Sequence, residues 1–245
     1  MYISILATMT LGVLLGVLAG LLGTGGGTFA IPALVYSMGY GQKLAQGTAL
    51  VMVVTNVFKG LLKYNDRSGL DLRISGMLAV SGSFSAAVSS MWAMSLSGTT
   101  LQRMYGVFLI LLAAFVVFSK RKEASTDHIS WQWAFIPGLI GGISLGLFGV
   151  GGAMLAVPLL VMFFGQSQVR AQGLGLALAL PGCSISLVQY ACNAQVDWTT
   201  GAILAGGGLA GVSYGVTIAH SIKEKTLTNL FCLFLVFGGV LMLTK

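Results

Sequence analysis

Two glycine blocks carry the chemistry this chain could perform. Gly23-Thr24-Gly25-Gly26-Gly27 precedes a short apolar run around Pro32, and Gly149-Val150-Gly151-Gly152-Ala153 precedes another around Pro158. Consecutive glycines break a helix, so a new helix is expected to start near Thr28 and near Met154. The first N–H groups of a helix have no partner within it, and its dipole places a positive end there. Glycine also lets backbone approach a ligand to hydrogen-bonding distance. Gly25, Gly26, Gly27 and Thr28, with Gly151, Gly152 and Ala153, are therefore candidate ligands for an anion. The alternative is that the glycines merely allow two broken helices to cross.

A second set of polar groups lies within the apolar segment 44–62. Thr48, Thr55, Asn56, Lys59 and Lys63 recur at spacings that put them on one face of a helix. A polar stripe in an apolar helix belongs against a bundle interior or a pathway. Thr48 and Asn56 are expected to assist anion binding. Two readings of Lys59 stand side by side: it neutralises the anion, or it snorkels to the interface. Gln46 and its counterpart Gln172, each in an Ala-Gln-Gly triplet, complete the candidate set.

These groups sit on a duplicated frame. Offsetting the chain by 126 residues (149 − 23) aligns the glycine blocks, Gly39 with Gly165, Ala45-Gln46-Gly47 with Ala171-Gln172-Gly173, Tyr64 with Tyr190, and Asp71 with Asp197. Of the 60 pairs between 12–71 and 138–197, 20 are identical, where composition alone would give roughly 5. At the position of Thr48, Thr55, Asn56, Lys59 and Lys63 the second copy carries Leu174, Pro181, Gly182, Ile185 and Gln189. The frame repeats; the side-chain chemistry does not.

Hydrophobic residues make up 56% of the 245 residues and charged ones 8%, against roughly 25% charged in soluble domains. Long apolar runs cover 2–22, 44–62, 74–94, 104–119, 131–148, 171–191, 199–219 and 226–244. Most approach the roughly 20 residues that cross a bilayer as a helix. Their unbroken hydrophobicity excludes the alternating strands of a membrane β-barrel. Gly12, Gly16 and Gly20, and Gly138, Gly142 and Gly146 at the equivalent positions, form four-residue ladders suited to helix packing. The first run lacks a basic start and has an internal counterpart at 131–148, so it reads as a helix of the mature protein and not as a signal peptide.

Two apolar runs, 28–38 and 153–164, are too short to span: eleven helical residues rise only about 16 Å. If each advances the chain across the membrane, each half crosses five times and the halves are inverted. Lys and Arg gather on the cytoplasmic side. With both termini outside, the five-plus-five arrangement puts ten basic residues inside and leaves Lys43, Arg103 and Lys245 outside. The four-plus-four arrangement splits them 8 to 5. The expectation is an all-α polytopic membrane protein of two homologous, inverted repeats, each with a short discontinuous helix. The first repeat covers 1–119, a cytoplasmic linker 120–130, and the second repeat 131–245. The expected location is the inner (plasma) membrane, with the lipid bilayer as partner.

Several classes are excluded. The net charge of +7 comes from loops and segment ends, with no basic–aromatic face to follow nucleic acid. Cys183, Cys192 and Cys232 have no metal-ligand spacing, and there is no nucleotide-binding Gly-x-x-x-x-Gly-Lys or Gly-x-Ser-x-Gly elbow. His128 and His220 lie in loops. No cofactor, no metal and no enzyme activity are expected. Asp66, Asp71, Glu123, Asp127, Asp197 and Glu224 all lie in loops or at segment ends, so no carboxylate occupies the membrane middle as a cation site would require. Asp71 and Asp197 read as helix caps. The expected partner is a small anion, moved by a secondary carrier; a passive channel with a glycine-lined pore is the alternative. No residue pattern specifies a coupling ion or an oligomeric state.

Gly23-Thr24-Gly25-Gly26-Gly27, Ile31-Pro32-Ala33-Leu34 and Ala45-Gln46-Gly47-Thr48-Ala49, with the second copy at Gly149–Gly152, Val157-Pro158-Leu159-Leu160 and Ala171-Gln172-Gly173, resemble the sulfite exporter TauE/SafE family of membrane proteins. The resemblance covers nearly the whole chain. It implies a duplicated helical transporter of small anions, often sulfur-containing ones such as sulfite, sulfonates or thiosulfate. The second copy departs from the pattern at Leu174, where the first has Thr48.

Overall fold

The computed structural model describes residues 2–22, 25–68, 71–118, 131–150, 152–166, 168–219 and 224–244. The expected linker 120–130 and Gly151 lie outside the described residues. Among the described residues ten α-helices follow in order: α1 (Tyr2–Leu22), α2 (Gly27–Ser37), α3 (Gln42–Ser68), α4 (Leu72–Ser95), α5 (Gly98–Phe118), α6 (Phe135–Phe148), α7 (Ala153–Phe164), α8 (Gln168–Cys192), α9 (Trp198–Ala219) and α10 (Glu224–Thr244). A 3-10 turn, Trp131–Ala134, leads into α6. Among the described residues, α3, α4, α5, α8 and α9 contain stretches long and apolar enough to cross a bilayer. Large apolar side chains such as Leu6, Phe84, Phe118 and Tyr214 face outward, as they do on a protein that meets lipid.

The short helices begin where the glycines end and stop near Gly39 and Gly165, both at positive φ. Asp71 caps α4, its Oδ1 accepting from Arg73 N at 2.9 Å. Asp197 caps α9 in the same way, accepting from Thr200 N at 3.1 Å. Both caps stop the preceding chain from continuing as helix and set the start of the next span.

The glycine ladders pack as small residues do between membrane helices, each against a helix of the other half. A Cβ on Gly12 would meet the Leu204 carbonyl at 2.7 Å, while Gly16 and Gly20 abut the Gly208 and Val212 carbonyls, so α1 runs parallel to α9. Gly138, Gly142 and Gly146 face Ser81, Ser85 and Ser89, so α6 runs parallel to α4. The serine hydroxyls are satisfied mainly along their own helix; Ser85 Oγ donates to Ser81 O at 3.1 Å. No Cβ could be added at these contacts without moving a backbone.

The same approaches give every span a direction. Gly201 lies on Thr48 and Gly208 on Asn56, so α3 is parallel to α9. Gly82 lies on Leu178 and Gly182 near Ala86, so α8 is parallel to α4. Gly47 lies by Tyr190 and Gly60 by Leu176, so α3 and α8 are antiparallel. Gln102 Nε2 donates to Met242 O at 3.2 Å and Gly106 abuts Gly239, so α5 and α10 are antiparallel. The end of α2 meets the end of α10 through the Tyr36 hydroxyl and Leu241 O. Thus α1, α3, α5 and α9 run one way, and α4, α6, α8 and α10 run the other. Hence α6, α8, α9 and α10 run opposite to α1, α3, α4 and α5 respectively.

Candidate functional site

The two glycine blocks meet. Gly25 (φ +75°) and Gly26 (φ +88°) are left-handed, a conformation that side chains other than glycine rarely adopt. Gly26 caps α2: its carbonyl accepts from Phe29 N at 3.2 Å and Ala30 N at 3.0 Å. The N–H groups of Gly27 and Thr28 precede the first of these bonds. A Cβ on Gly27 would lie 2.8 Å from the Gly149 carbonyl, so the first block touches the second through backbone. Thr28 Oγ1 donates to Met154 Sδ at 3.3 Å, joining the two short helices at equivalent positions.

On the other side of the crossing, Gly149 (φ +66°) closes α6, its N–H donating to Leu145 O at 2.8 Å. Gly152 then caps α7 and accepts from Ala156 N at 3.2 Å. Gly26 packs on Leu15, Ala19 and Met52, and Gly152 on their equivalents Gly141, Leu145 and Leu178. Ala153 is buried against Gly175. Because α2 leads into α3 and α7 into the antiparallel α8, the short helices run outward from the crossing in opposite senses. Their N-terminal, positive ends meet there.

Proline shapes one wall. Pro32 has no N–H to give the carbonyl of Thr28, four residues earlier. The Tyr105 hydroxyl supplies that bond at 3.1 Å, from full burial. Tyr105 in turn contacts Phe148, with ring centroids 5.5 Å apart, and Phe108 stacks on the same Phe148 at 4.7 Å. The sequence offers no signal for Tyr105, since it lies 77 residues from Thr28; an unpaired carbonyl ahead of Pro32 says only that some donor is needed.

α3 brings several further candidates alongside. Asn56 is buried; its Nδ2 lies 3.5 Å from Gly25 O, and its Oδ1 has no partner. Gln46 is buried beside Gly149. Its Oε1 accepts from the Tyr190 hydroxyl at 2.8 Å and its Nε2 has no partner. Thr48 is placed apart from the crossing: its Oγ1 accepts from Asp197 N at 3.0 Å, at the entry to α9. Thr55 folds back on its own helix, donating to Met52 O at 2.8 Å. Lys59 is half-buried and its Nζ donates to Leu209 O within α9 at 2.6 Å. Gln172 is buried and engaged in α8.

A narrow crevice opens beside this region. Gly20, Val212 and Val216 line its outer part, and Gly25 and Asn56 also form part of its wall. Towards the opposite end of the molecule, the turn after α2 is bonded to the start of α9. There the Tyr40 hydroxyl, in the turn after α2, donates to Asp197 Oδ2 at 2.5 Å, and Thr200 Oγ1 donates to the same oxygen at 2.7 Å. The Tyr40 bond holds the Asp197 carboxyl below the usual carboxylate value. Burial, and then the Asp197 bond, push the Tyr40 hydroxyl up.

Opposed apolar spans with two short helices meeting in a buried glycine crossing fit a multi-pass membrane transporter. The family described as sulfite exporter TauE/SafE matches residues 8–242, and the chain belongs to that family. A "Probable membrane transporter protein" of Xylella fastidiosa (strain 9a5c) is 28% identical over 244 residues, covering 95% of this chain and 92% of its own. A second, from strain Temecula1, is 26% identical across 92% of this chain and 89% of its own. "Probable membrane transporter protein YunE" of Bacillus subtilis is 22% identical, covering 96% of each chain.

Proposed function

We propose that the protein is a secondary carrier of a small sulfur-containing oxyanion, of the sulfite, sulfonate or thiosulfate class, in the inner (plasma) membrane. The observation that carries this reading is the meeting of two helix N-termini at a crossing where glycine keeps side chains away. Their N–H groups and dipoles favour an anion at the repeat interface. Gly25, Gly26, Gly27 and Thr28 form one side of the site and Gly152 and Ala153 the other. Asn56 adds an amide at the crevice end, and Lys59 adds positive charge from α3. Residues 1–119 and 131–245 act as two inverted halves joined by a cytoplasmic linker, with both termini outside. The opposed directions of equivalent helices support that arrangement, and so does the position of Lys43 and Arg103 at the end away from Lys59, Arg73 and Arg170.

A narrow crevice lined by Gly25 and Asn56 opens towards one end, while on the other side of it Gly27 packs on Gly149 and Tyr40 bonds Asp197. That asymmetry favours a carrier over an open pore. Proteoliposomes loaded with unlabelled sulfite, sulfonate or thiosulfate provide the test. Saturable uptake of the labelled anion, driven by the same anion inside, is expected for at least one of the three. Flux of all three that neither saturates nor exchanges would establish a channel instead. Sidedness is checked with single cysteines: Thr99→Cys should react with an impermeant reagent in intact cells, and Arg73→Cys only after permeabilisation.

A further inference from the structure

Gln42 lies one helical turn before Gln46 on α3, on the far side of the crossing from the crevice. It is 2% exposed, and neither its Nε2 nor its Oε1 has a partner. Gln46 is fully buried with Nε2 unpaired. Residues four apart on a helix are neighbours, so three unpaired amide atoms share one buried turn. Leaving such an atom unpaired costs about 1–3 kcal/mol, and several together call for something polar between the helices. We propose that Gln42 and Gln46 form a second station for the transported oxyanion, separate from the one at the glycine crossing.

The stations are on one face of α3, because 42, 46, 49, 53 and 56 advance by four and three residues in turn. Asn56 marks the crevice end of that stripe and has its own unpaired Oδ1. Ten residues separate Gln46 from Asn56, about 15 Å of helix. Between them the stripe is apolar, Ala49 and Val53, and Gly27 presses on Gly149 at the same level. An anion leaving the crossing past this constriction therefore meets the free Nε2 donors of Gln46 and Gln42. The chemistry at Gln42 and Gln46 suits brief occupancy. Amide N–H groups are neutral donors, the Lys43 ammonium is taken by Met94 O at 2.8 Å, and Asp197 is held by Tyr40 and Thr200. An oxyanion is coordinated there without an ion pair that would retain it. The Tyr40–Asp197 bond then serves as the outer closure of this station.

The inference rests on the carrier reading, and a measurement that needs no transport separates the two. In a variant with Cys183, Cys192 and Cys232 replaced by alanine, single cysteines are placed at Gln42 or Gln46. Controls go at Ala45 and Leu50, which are fully buried on the same helix, one on each flank of the stripe. Each is treated with an anionic and a cationic methanethiosulfonate reagent. Cysteines at 42 and 46 should react at least tenfold faster than those at 45 and 50. After correction for intrinsic reactivity, the anionic reagent should be the faster at both. Equal rates at all four positions, or preference for the cation, overturns the station. If either glutamine variant fails to yield monodisperse protein, the other carries the same readout. A cysteine-free parent that exchanges no oxyanion, with 42 and 46 reacting as stated, would remove the carrier reading and leave an anion-accessible station.

Discussion

Gly27→Ala is the smallest change that probes the contact between the two halves. Gly27 is not left-handed, so alanine costs nothing in backbone conformation there, and the effect is one of space alone. The new Cβ would lie 2.8 Å from the Gly149 carbonyl, 3.0 Å from Val53 Cγ2 and 3.3 Å from Val150 Cα. Ordinary contact begins at 3.4 Å, so the carbonyl must retreat by at least 0.6 Å (3.4 − 2.8). A backbone carbonyl pinned by the left-handed turn at Gly149 cannot swing aside as a side chain would. Overpacking of this kind costs about 1–3 kcal/mol, and a gap of that size forfeits about a quarter to a half of each neighbouring dispersion contact. The expected result is a midpoint of thermal unfolding in detergent lowered by about 2–10 °C. Anion kcat/KM should fall about tenfold, equivalent to about 1.4 kcal/mol. Gly41→Ala, with nothing within 4 Å of its Cβ, is the control and should match the wild type. Wild-type stability and transport in Gly27→Ala would refute the claim that the blocks meet.

Three further outcomes are expected. In Tyr40→Phe the stability lost relative to wild type should be constant between about pH 4 and pH 10. It should shrink below that window, because the Asp197 pKa is lowered in the fold and its contribution vanishes as pH falls through the folded value. It should shrink above it, because the Tyr40 pKa is raised and its contribution vanishes as pH rises through the folded value; a gap that widens on acidification contradicts the assignment. Lys59→Met should raise the KM for the anion about fivefold, an effect of about 1 kcal/mol, with Lys59→Arg close to wild type; an unchanged KM in Lys59→Met would leave Lys59 only its bond to Leu209. Gly142→Ala should abolish monodisperse protein, because its Cβ runs into Ser85 Oγ and the Gly82 backbone, whereas Gly206→Ala, with open space, should purify normally.

Local signals were strong enough to read much of the frame. The glycine blocks and the apolar lengths place the short helices at 28–38 and 153–164, and the helices run Gly27–Ser37 and Ala153–Phe164. Asp71 and Asp197 are read as caps from their place before apolar runs, and both act as caps. What escaped is set by packing between distant parts of the chain. The stripe of Thr48, Thr55, Asn56 and Lys59 is legible as helical spacing, yet its members have unrelated partners: Asp197, their own helix, Gly25 and Leu209. Spacing fixes which way a side chain leaves a helix and says nothing of which helix lies opposite. For the same reason Lys59, read as either an anion partner or a snorkelling group, bonds a carbonyl of α9. Tyr190 is visible as a repeated tyrosine, but its bond to Gln46 spans 144 residues and depends on α3 and α8 being antiparallel.

The place where the anion binds can be marked directly. Selenite, with the shape and charge of sulfite, carries a selenium whose anomalous scattering marks the central atom. Crystals of the cysteine-free protein, which avoids selenite–thiol chemistry, should show one dominant selenium peak between the Gly25–Thr28 backbone and the backbone of Gly152 and Ala153. The expected distance from selenium to the Gly27 or Thr28 nitrogen is about 4 Å, one Se–O bond plus a charge-assisted hydrogen bond. A dominant peak elsewhere, or none at the crossing in protein that exchanges selenite in vesicles, would contradict the glycine-crossing site.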